Sequence, residues 1–179
     1  CARQSIAGCV SKISGCCVNP VAEADCMNGK VNKMQGKVVA VCTSAHKGER
    51  KVDVGTALFL EGLGIQGDAH AGFAHRQISL LAVESIEKMK QKCADLVPGD
   101  FAENLTVEGL KLPELPVGTV LHVGEVVLKV SQIGKECHQG CAIMEAVGDC
   151  VMPREGIFAT VERGGRISRG DTVEVISHV

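Results

Sequence analysis

The sequence predicts a mainly β domain with a few short helices. Two observations carry this prediction. The chain has four phenylalanines and no tyrosine or tryptophan, so its core must be built from Val, Ile, Leu and Ala, and Val and Ile favour strands. Short apolar runs also recur along the chain with glycines between them. A length of 179 residues is enough for one domain with its own core. Short apolar runs separated by glycines are typical of an antiparallel β-barrel or sandwich.

The predicted strands all follow Gly36. The first, residues 37–43 (KVVAVCT), is apolar almost throughout, as expected for a strand buried on both faces. Further candidate strands are residues 77–82, 101–107, 117–123, 126–133, 156–161 and 172–176. Glycine-containing turns separate them, which suits strands joined by short connections.

One clear helix is predicted over residues 83–93. Val83, Ile86, Met89 and Cys93 follow helical rather than alternating spacing. Acidic residues lie early in this segment and lysines lie late, an order that complements the helix dipole. We interpret the charges as an ordinary solvated face.

The chain divides near residue 35. Residues 1–35 form a cysteine-rich N-terminal extension with five of the ten cysteines, and residues 36–179 form the β domain. These five cysteines could hold a metal or supply accessory thiols, but their spacing matches no known zinc or iron–sulfur pattern. We therefore favour a structural role for them.

Composition excludes several classes of function. With 19 Lys plus Arg against 21 Asp plus Glu, the charge totals do not indicate a surface that binds polyanions. The chain also lacks the aromatic platforms on which single-stranded nucleic acid stacks. No stretch approaches the roughly 20 apolar residues of a membrane span, and the first residues lack a signal-peptide apolar region. The cysteines fit no disulfide framework. We expect a soluble cytoplasmic protein with reduced thiols, and neither nucleic acid nor membrane as a partner.

The segment KECHQGCAIM, residues 135–144, is the strongest candidate for a reactive site. It places Cys137, His138 and Cys141 beside Lys135, and nearby cationic groups favour the thiolate form of cysteine. A second short helix, predicted over residues 139–147, would lower a thiol pKa further at its first turn. Cys137 is thus the candidate nucleophile and Cys141 a candidate resolving thiol. The alternative is that these cysteines are small core hydrophobes.

A second constellation is HAGFAHRQ, residues 70–77. His70, His75 and Arg76 lie close together in sequence, next to Asp68. Arg76 could bind a phosphate or carboxylate bidentately while either histidine donates a proton. The alternatives are surface or locally satisfied histidines and a metal site formed by His70, His75 and Asp68.

Three further residues are candidates with alternative roles. Asn104 could point into a pocket or satisfy the backbone of its loop. Arg154, presented after the stiff residue Pro153, could hold an anion and pair with Glu155. Cys150 could join Cys137 and Cys141 as a third thiolate in a structural metal site.

Four segments together resemble the MOSC domain family, named after the C-terminal domain of molybdenum cofactor sulfurase, and in particular its small free-standing bacterial members. They are GIQGDAHAGFAHRQISLL (64–81), GDFAENLTVEGL (99–110), LPVGTVLHVGEVVLKVSQIGKECHQGCAI (115–143) and DCVMPREGIFATVERGGRISRGD (149–171). The resemblance implies a closed or partly open β-barrel and a role in sulfur transfer connected with molybdenum or related metal–sulfur cofactors. The family's proposed persulfide cysteine maps onto Cys137.

Three classes of function follow. The first is a sulfur carrier or sulfurtransferase, with Cys137, Cys141 and His138 as catalytic groups and with a cysteine desulfurase as donor. Its binding residues would be Lys135, Arg76, His75, His70, Asn104 and Arg154. The second is a non-catalytic module for a molybdenum or tungsten pterin cofactor, with Cys137 as metal ligand. The third is a structural metal protein using cysteines and His138. No motif suggests that the chain itself binds pyridoxal phosphate, and a homodimer stays open because a β edge can pair with a second subunit.

Overall fold

A computed structural model describes residues 34–135 and 148–176, all within the unit Asn32–Val179. The strands are β1 (Gln35–Thr43), β2 (Val52–Asp53), β3 (Thr56–Leu60), β4 (Gly64–Ile65), β5 (Ile78–Ala82), β6 (Leu105–Glu108), β7 (Val120–Val123), β8 (Val126–Ile133), β9 (Ile157–Arg163), β10 (Gly165–Ser168) and β11 (Thr172–Ile176). The helices are α1 (Val83–Lys90) and α2 (Met152–Glu155), and a 3-10 turn spans Leu112–Glu114.

Seven strands close into a barrel. Their order around it is β1, β6, β5, β9, β8, β7 and β11, and the pairing of Gln35 with Glu174 joins β11 back to β1. β2 pairs with the end of β1, while β10, β3 and β4 form a separate three-stranded sheet. The predicted mainly β fold is confirmed, and of the two predicted architectures the barrel is the one observed.

The expectation of a wholly antiparallel barrel is wrong at one pair of strands. β5 and β6 run parallel, with Leu80 opposite Leu105 and Ala82 opposite Val107. Parallel neighbours require a crossover connection, and here the chain passes through α1 and residues 91–104 before it enters β6. The loop of this crossover later contributes to the candidate site.

Two apolar clusters fill the described part of the molecule. The barrel interior holds alternate residues of the strands, such as Leu80, Leu105 and Ile157. A second cluster lies outside the barrel beneath α1 and includes Leu81 and Phe158. Neighbouring residues of one strand enter different clusters because successive side chains point to opposite faces of a sheet.

The sequence located some elements better than others. Residues 126–133 and 172–176 match β8 and β11, and α1 begins where predicted but ends at Lys90. Residues 101–104, predicted as strand, form turns and a loop in which Ala102 has a φ of 60°, a left-handed conformation outside the β region. The predicted helix over residues 139–147 lies outside the described residues. No helix in the described ranges is long and apolar enough to cross a membrane.

Candidate functional site

A cavity of about 320 Å³ lies against the outer face of the barrel, over β5 and β9. Ser79 of β5 and Phe158 of β9 are register partners and both line it. Their neighbours Leu80 and Ile157 belong to the interior cluster, so the alternation of side chains directs Ser79 and Phe158 outward. The cavity therefore lies beside the second apolar cluster and not inside the barrel.

The walls of this cavity come from loops at four places in the chain. They are residues 47–50, residues 70–76, residues 100–104 and residues 150–152, with Lys135 at the end of β8. The sequence motifs around Arg76, Asn104 and Cys150 are thus brought to one place by the fold.

The loop after β1 is fixed to the crossover loop by backbone contacts. The N–H of Lys51 donates to the carbonyl of Gly99 at 2.9 Å. Gly99 has a φ of 96°, and a Cβ there would lie 2.1 Å from the carbonyl oxygen of Lys51, so only glycine fits. The guanidinium of Arg50 reaches Asp100 at 3.3 Å. These contacts hold one wall of the cavity in place.

Behind this wall lies a buried ion pair that sequence analysis did not identify. The side chains of Lys51 and Asp68 are each 1% exposed, and the ammonium contacts the Oδ1 of Asp68 directly. Burial alone raises the pKa of Asp68, but the contacts with His70 and Lys51 and the hydrogen bond from the backbone N–H of Ser44 outweigh it and hold that pKa well below its ordinary value. A lysine in a polar loop is usually exposed, so nothing in the sequence signalled this pair.

His70 lies between the buried pair and the cavity. Its Nδ1 is 3.4 Å from the Nζ of Lys51 and 3.7 Å from the Oδ2 of Asp68. Its backbone N–H donates to the same Oδ2 at 3.1 Å. With a side chain 33% exposed, His70 lines the cavity while its inner edge is held by charged neighbours.

Arg76 is stacked between two aromatic rings. Its guanidinium carbon is 4.9 Å from the ring centroid of Phe73 and 5.8 Å from that of Phe158. Its Nε is buried and has no hydrogen-bond partner among the described residues. Lys47 also lies over Phe73, at 5.3 Å. Stacking on aromatic faces orients a guanidinium and leaves its edge for a ligand.

The cavity is more cationic than acidic. Lys47, Arg50, Arg76 and Lys135 line it, against Glu49 and Asp100. Arg50 pairs with Asp100, whereas Lys47, Arg76 and Lys135 have no ion-pair partner within residues 34–135 and 148–176. A partly enclosed site with unpaired cations attracts anions.

Two predicted binding residues lie elsewhere. The Nε2 of His75 is 2.9 Å from the Oε1 of Gln132, and His75 lines a more open cleft that shares Arg76 and Lys135 with the cavity. Arg154 is 59% exposed and donates to Asp149 at 3.0 Å, and it does not line the cavity.

The predicted pairing of Arg154 with Glu155 is wrong. Glu155 instead accepts hydrogen bonds from Ser85 and Lys88 of α1. Hydrogen bonds from Lys92 and Arg154 lower the pKa of Asp149 to about 2, so the carboxylate nearest to Arg154 is ionised and available to it. These contacts fasten the region around α2 to α1 and its following turn.

Asn104 has a structural role as well as a place in the cavity wall. Its Oδ1 accepts from the backbone N–H and the hydroxyl of Ser79 at 3.1 and 3.0 Å, and its Nδ2 donates to the carbonyl of Cys42 at 3.1 Å. Asn104 as a whole is 2% exposed. Asn104 therefore ties β1 and β5 to the start of β6, in agreement with the structural alternative.

The neighbouring residue Glu103 is buried inside the protein. Its Oε1 accepts from the N–H of Gly99 and the hydroxyl of Thr106, while its Oε2 has no partner among the described residues. Burial raises the pKa of Glu103 above its ordinary value. Burial, followed by the charge of Glu103, also raises the pKa of the Cys42 thiol to about 12.

The predicted cysteine site is only partly described. Cys137, His138 and Cys141 lie outside the described residues, whereas Lys135 before them and Cys150 after them both line the cavity. Within the described ranges, no group of three His, Cys, Asp or Glu residues could hold a metal. The alternative metal site of His70, His75 and Asp68 is not assembled, since Asp68 pairs with Lys51 and His75 contacts Gln132.

The chain belongs to the MOSC domain family, whose profile matches residues 66–174. This family is associated with molybdenum cofactor sulfurase and related proteins. None of the curated proteins matches the chain.

Solved structures share this fold. The YuaD protein from Bacillus subtilis is 23% identical with a TM-score of 0.70, over 82% of this chain and 98% of that one. YiiM from Escherichia coli is 23% identical with a TM-score of 0.59, over 82% and 71%. YiiM from Geobacillus stearothermophilus is 18% identical with a TM-score of 0.61, over 79% and 75%. At these identities the likeness establishes the fold.

Proposed function

We propose that this protein is a sulfur carrier of molybdenum or related metal–sulfur cofactor metabolism that acts through a persulfide on Cys137. The observation that carries the proposal is the cationic cavity, in which Lys47, Arg76 and Lys135 have no ion-pair partner among the described residues. Lys135 precedes Cys137 by two residues. A sulfur-carrying thiolate needs cationic groups that favour its ionised form and a place for an anionic partner.

Loading is an exchange that needs no external oxidant. The thiolate of Cys137 attacks the terminal sulfur of a persulfide on a donor such as a cysteine desulfurase. A new sulfur–sulfur bond forms on Cys137, the donor's sulfur–sulfur bond breaks, and the donor cysteine leaves as a thiolate. Lys135 and His138 favour the attacking thiolate.

Release uses a second thiol of the chain. The thiolate of Cys141 attacks the inner sulfur of the persulfide, a Cys137–Cys141 disulfide forms, and hydrosulfide leaves with the bonding electron pair. The two cysteines are thereby oxidised and the carried sulfur is reduced to sulfide. A thiol reductant restores both cysteines for the next cycle. Arg76 and Lys47 would hold the anionic acceptor during transfer.

A second candidate function is cofactor binding without turnover, and the partly exposed residue Phe73 favours it. Phe73 is 39% exposed and lies next to the cations of Lys47 and Arg76, so an exposed aromatic residue is available to contact a planar heterocycle. The cavity volume falls at the lower end of ordinary cofactor sites. The residues fit a pterin that carries a phosphate: Arg76, Lys47 and Lys135 would hold the phosphate, and Cys137 would be a soft ligand. The bound cofactor would supply a molybdenum or tungsten centre.

The intact mass of anaerobically purified protein tests both candidates. The protein is incubated with a cysteine desulfurase and L-cysteine, and its mass is measured before and after thiol reductant, together with bound molybdenum, tungsten and pterin. We expect a reductant-labile gain of one sulfur atom that is lost in Cys137→Ala and retained in the matched control Cys93→Ala, because Cys93 does not line the cavity.

The outcomes separate the candidates. No added sulfur, but stoichiometric metal and pterin lost in Cys137→Ala, would favour the binding module. A sulfur gain that survives in Cys137→Ala would contradict the persulfide carrier.

A further inference from the structure

We infer that Lys51 and Asp68 hold His70 in the tautomer protonated at Nε2, so that His70 presents an N–H donor to an oxygen of an anionic ligand in the cavity. Lys51 is then a positioning residue, acting on the ligand through His70. The inference rests on the proposed function only in taking the cavity as the binding site, and it does not depend on Cys137.

The ammonium of Lys51 decides the tautomer. It has three N–H donors, its side chain is 1% exposed, and it has three neighbours to receive them: the Oδ1 of Asp68, the Oγ of Ser44 at 3.5 Å and the Nδ1 of His70 at 3.4 Å. A proton on Nδ1 would point at the ammonium and leave one buried N–H without an acceptor among the described residues. A buried donor without a partner is costly, so Nδ1 is the acceptor.

The hydrogen-bond partner of the His70 Nδ1 is Lys51 and not Asp68. Its Oδ2 is 3.7 Å from Nδ1, beyond the range of a hydrogen bond. The same Oδ2 already accepts the backbone N–H of His70 at 3.1 Å. Its Oδ1 accepts from Lys51 and from the backbone N–H of Ser44 at 3.0 Å. The carboxylate thus anchors the loop and the ammonium, and the ammonium in turn orients the ring.

The Nε2 edge of the His70 ring is the one available to a ligand in the cavity. A neutral imidazole with an acceptor at Nδ1 carries its proton at Nε2, on the side away from the buried pair. His70 lines the cavity together with Lys47 and Arg76, which can only donate. Three donors around one space match the oxygens of a phosphate or carboxylate. This arrangement makes His70 a recognition residue for an oxyanion, and it excludes Nε2 as a general base.

Nitrogen-15 NMR of imidazole-labelled protein tests the tautomer directly. The signals of His70 among the six histidines are assigned by their loss in His70→Gln. We expect the Nε2–H pattern in the unaltered chain and a shift towards the Nδ1–H pattern in Lys51→Met, in which Asp68 is the remaining neighbour. An Nδ1–H pattern in the unaltered chain would overturn the inference, and that spectrum decides the matter even if Lys51→Met does not fold.

Titration with inorganic phosphate tests the donor role. His70→Phe should bind phosphate about tenfold more weakly, as expected for loss of a hydrogen bond to a charged group, and His70→Gln, which keeps an N–H donor, should lose less. Equal affinity of His70→Phe and the unaltered chain, or no phosphate binding by the unaltered chain, would overturn it. Cys137→Ala separates the two proposals, because it removes sulfur loading if the proposed function holds, whereas the tautomer of His70 does not depend on it. Arg154→Lys is the control for phosphate affinity, since Arg154 is held by Asp149 outside the cavity.

Discussion

Gly134 lies directly against the carbonyl of Pro153: a Cβ on residue 134 would be 2.3 Å from that oxygen. The N–H of Gly134 donates to the carbonyl of Gly156 at 2.7 Å, and its φ is 69°. These contacts join the end of β8, immediately before Lys135, to α2. In sequence, Gly134 precedes the candidate cysteines and Pro153 follows them. Residue 134 must be glycine for this contact to form.

Gly134→Ala should destabilise the protein by about 1–3 kcal/mol, because the new methyl group collides with backbone that cannot rotate away. Gly124→Ala is the matched control, since Gly124 also has a positive φ of 59° but nothing within 4 Å of the added Cβ. It reports the cost of the left-handed backbone alone. Urea unfolding of the two variants gives the comparison, and equal losses would show that the contact with Pro153 is not tight.

Lys51→Met should destabilise the protein by about 3–5 kcal/mol, because it leaves the buried carboxylate of Asp68 without its counter-ion. The double variant Lys51→Met/Asp68→Leu should recover part of this loss, since no charge is then left buried. Denaturant unfolding measures both. A double variant less stable than Lys51→Met alone would argue that Asp68 acts mainly through its bonds to the backbone of Ser44 and His70.

Glu103 should make the protein less stable as the pH rises. Burial raises the pKa of Glu103 in the folded state, whereas the unfolded carboxyl has an ordinary pKa of about 4.3. Above that pH the unfolded chain has lost the proton while the folded chain retains it, so raising the pH favours unfolding until the folded group also titrates. Glu103→Gln removes this dependence.

Urea unfolding across the acidic to neutral range checks the prediction. The stability of Glu103→Gln relative to the unaltered chain should increase with pH. A constant difference for Glu103→Gln would mean that its carboxyl titrates alike in both states.

Cys42 should resist alkylation in the folded protein. It is fully buried, and burial raises the pKa of its thiol to about 12, so both access and thiolate are lacking. Cys93 is half-buried and should be modified sooner by iodoacetamide, with both cysteines labelled in denaturant. Peptide mass mapping over time gives the rates. Labelling of Cys42 as fast as Cys93 under native conditions would contradict its burial.

Arg76→Ala should weaken phosphate binding roughly tenfold, as expected for loss of a charge-assisted hydrogen bond. Arg76→Lys should lose several-fold, because lysine keeps the charge but not the planar group stacked on Phe73 and Phe158. Calorimetry with inorganic phosphate measures both. Arg154→Lys is the control and should bind as the unaltered chain does, since Arg154 is held by Asp149 outside the cavity.

The sequence predicted those strands and helices that a local pattern of apolar residues determines. The alternation through β8 and β11 and the helical spacing of α1 located these elements, and the resemblance to the MOSC family supplied the barrel. Very short strands such as β4 carry too little pattern to be recognised. Lys51 and Asp68, 17 residues apart, form a pair only through the path of the chain. Arg154 was expected in the site, but it forms an ion pair with the nearby Asp149 instead.

The closing pair of strands has a consequence for how the protein is made. β1 and β11 meet through residues such as Gln35 and Glu174, 139 positions apart. During synthesis, β1 emerges from the ribosome long before its partner on this side exists, and bringing such distant segments together is slow. Until β11 arrives, the backbone groups at one edge of β1 are open to strands of other chains. Aggregation during translation should therefore be most sensitive to changes in β11, the strand that completes the ring.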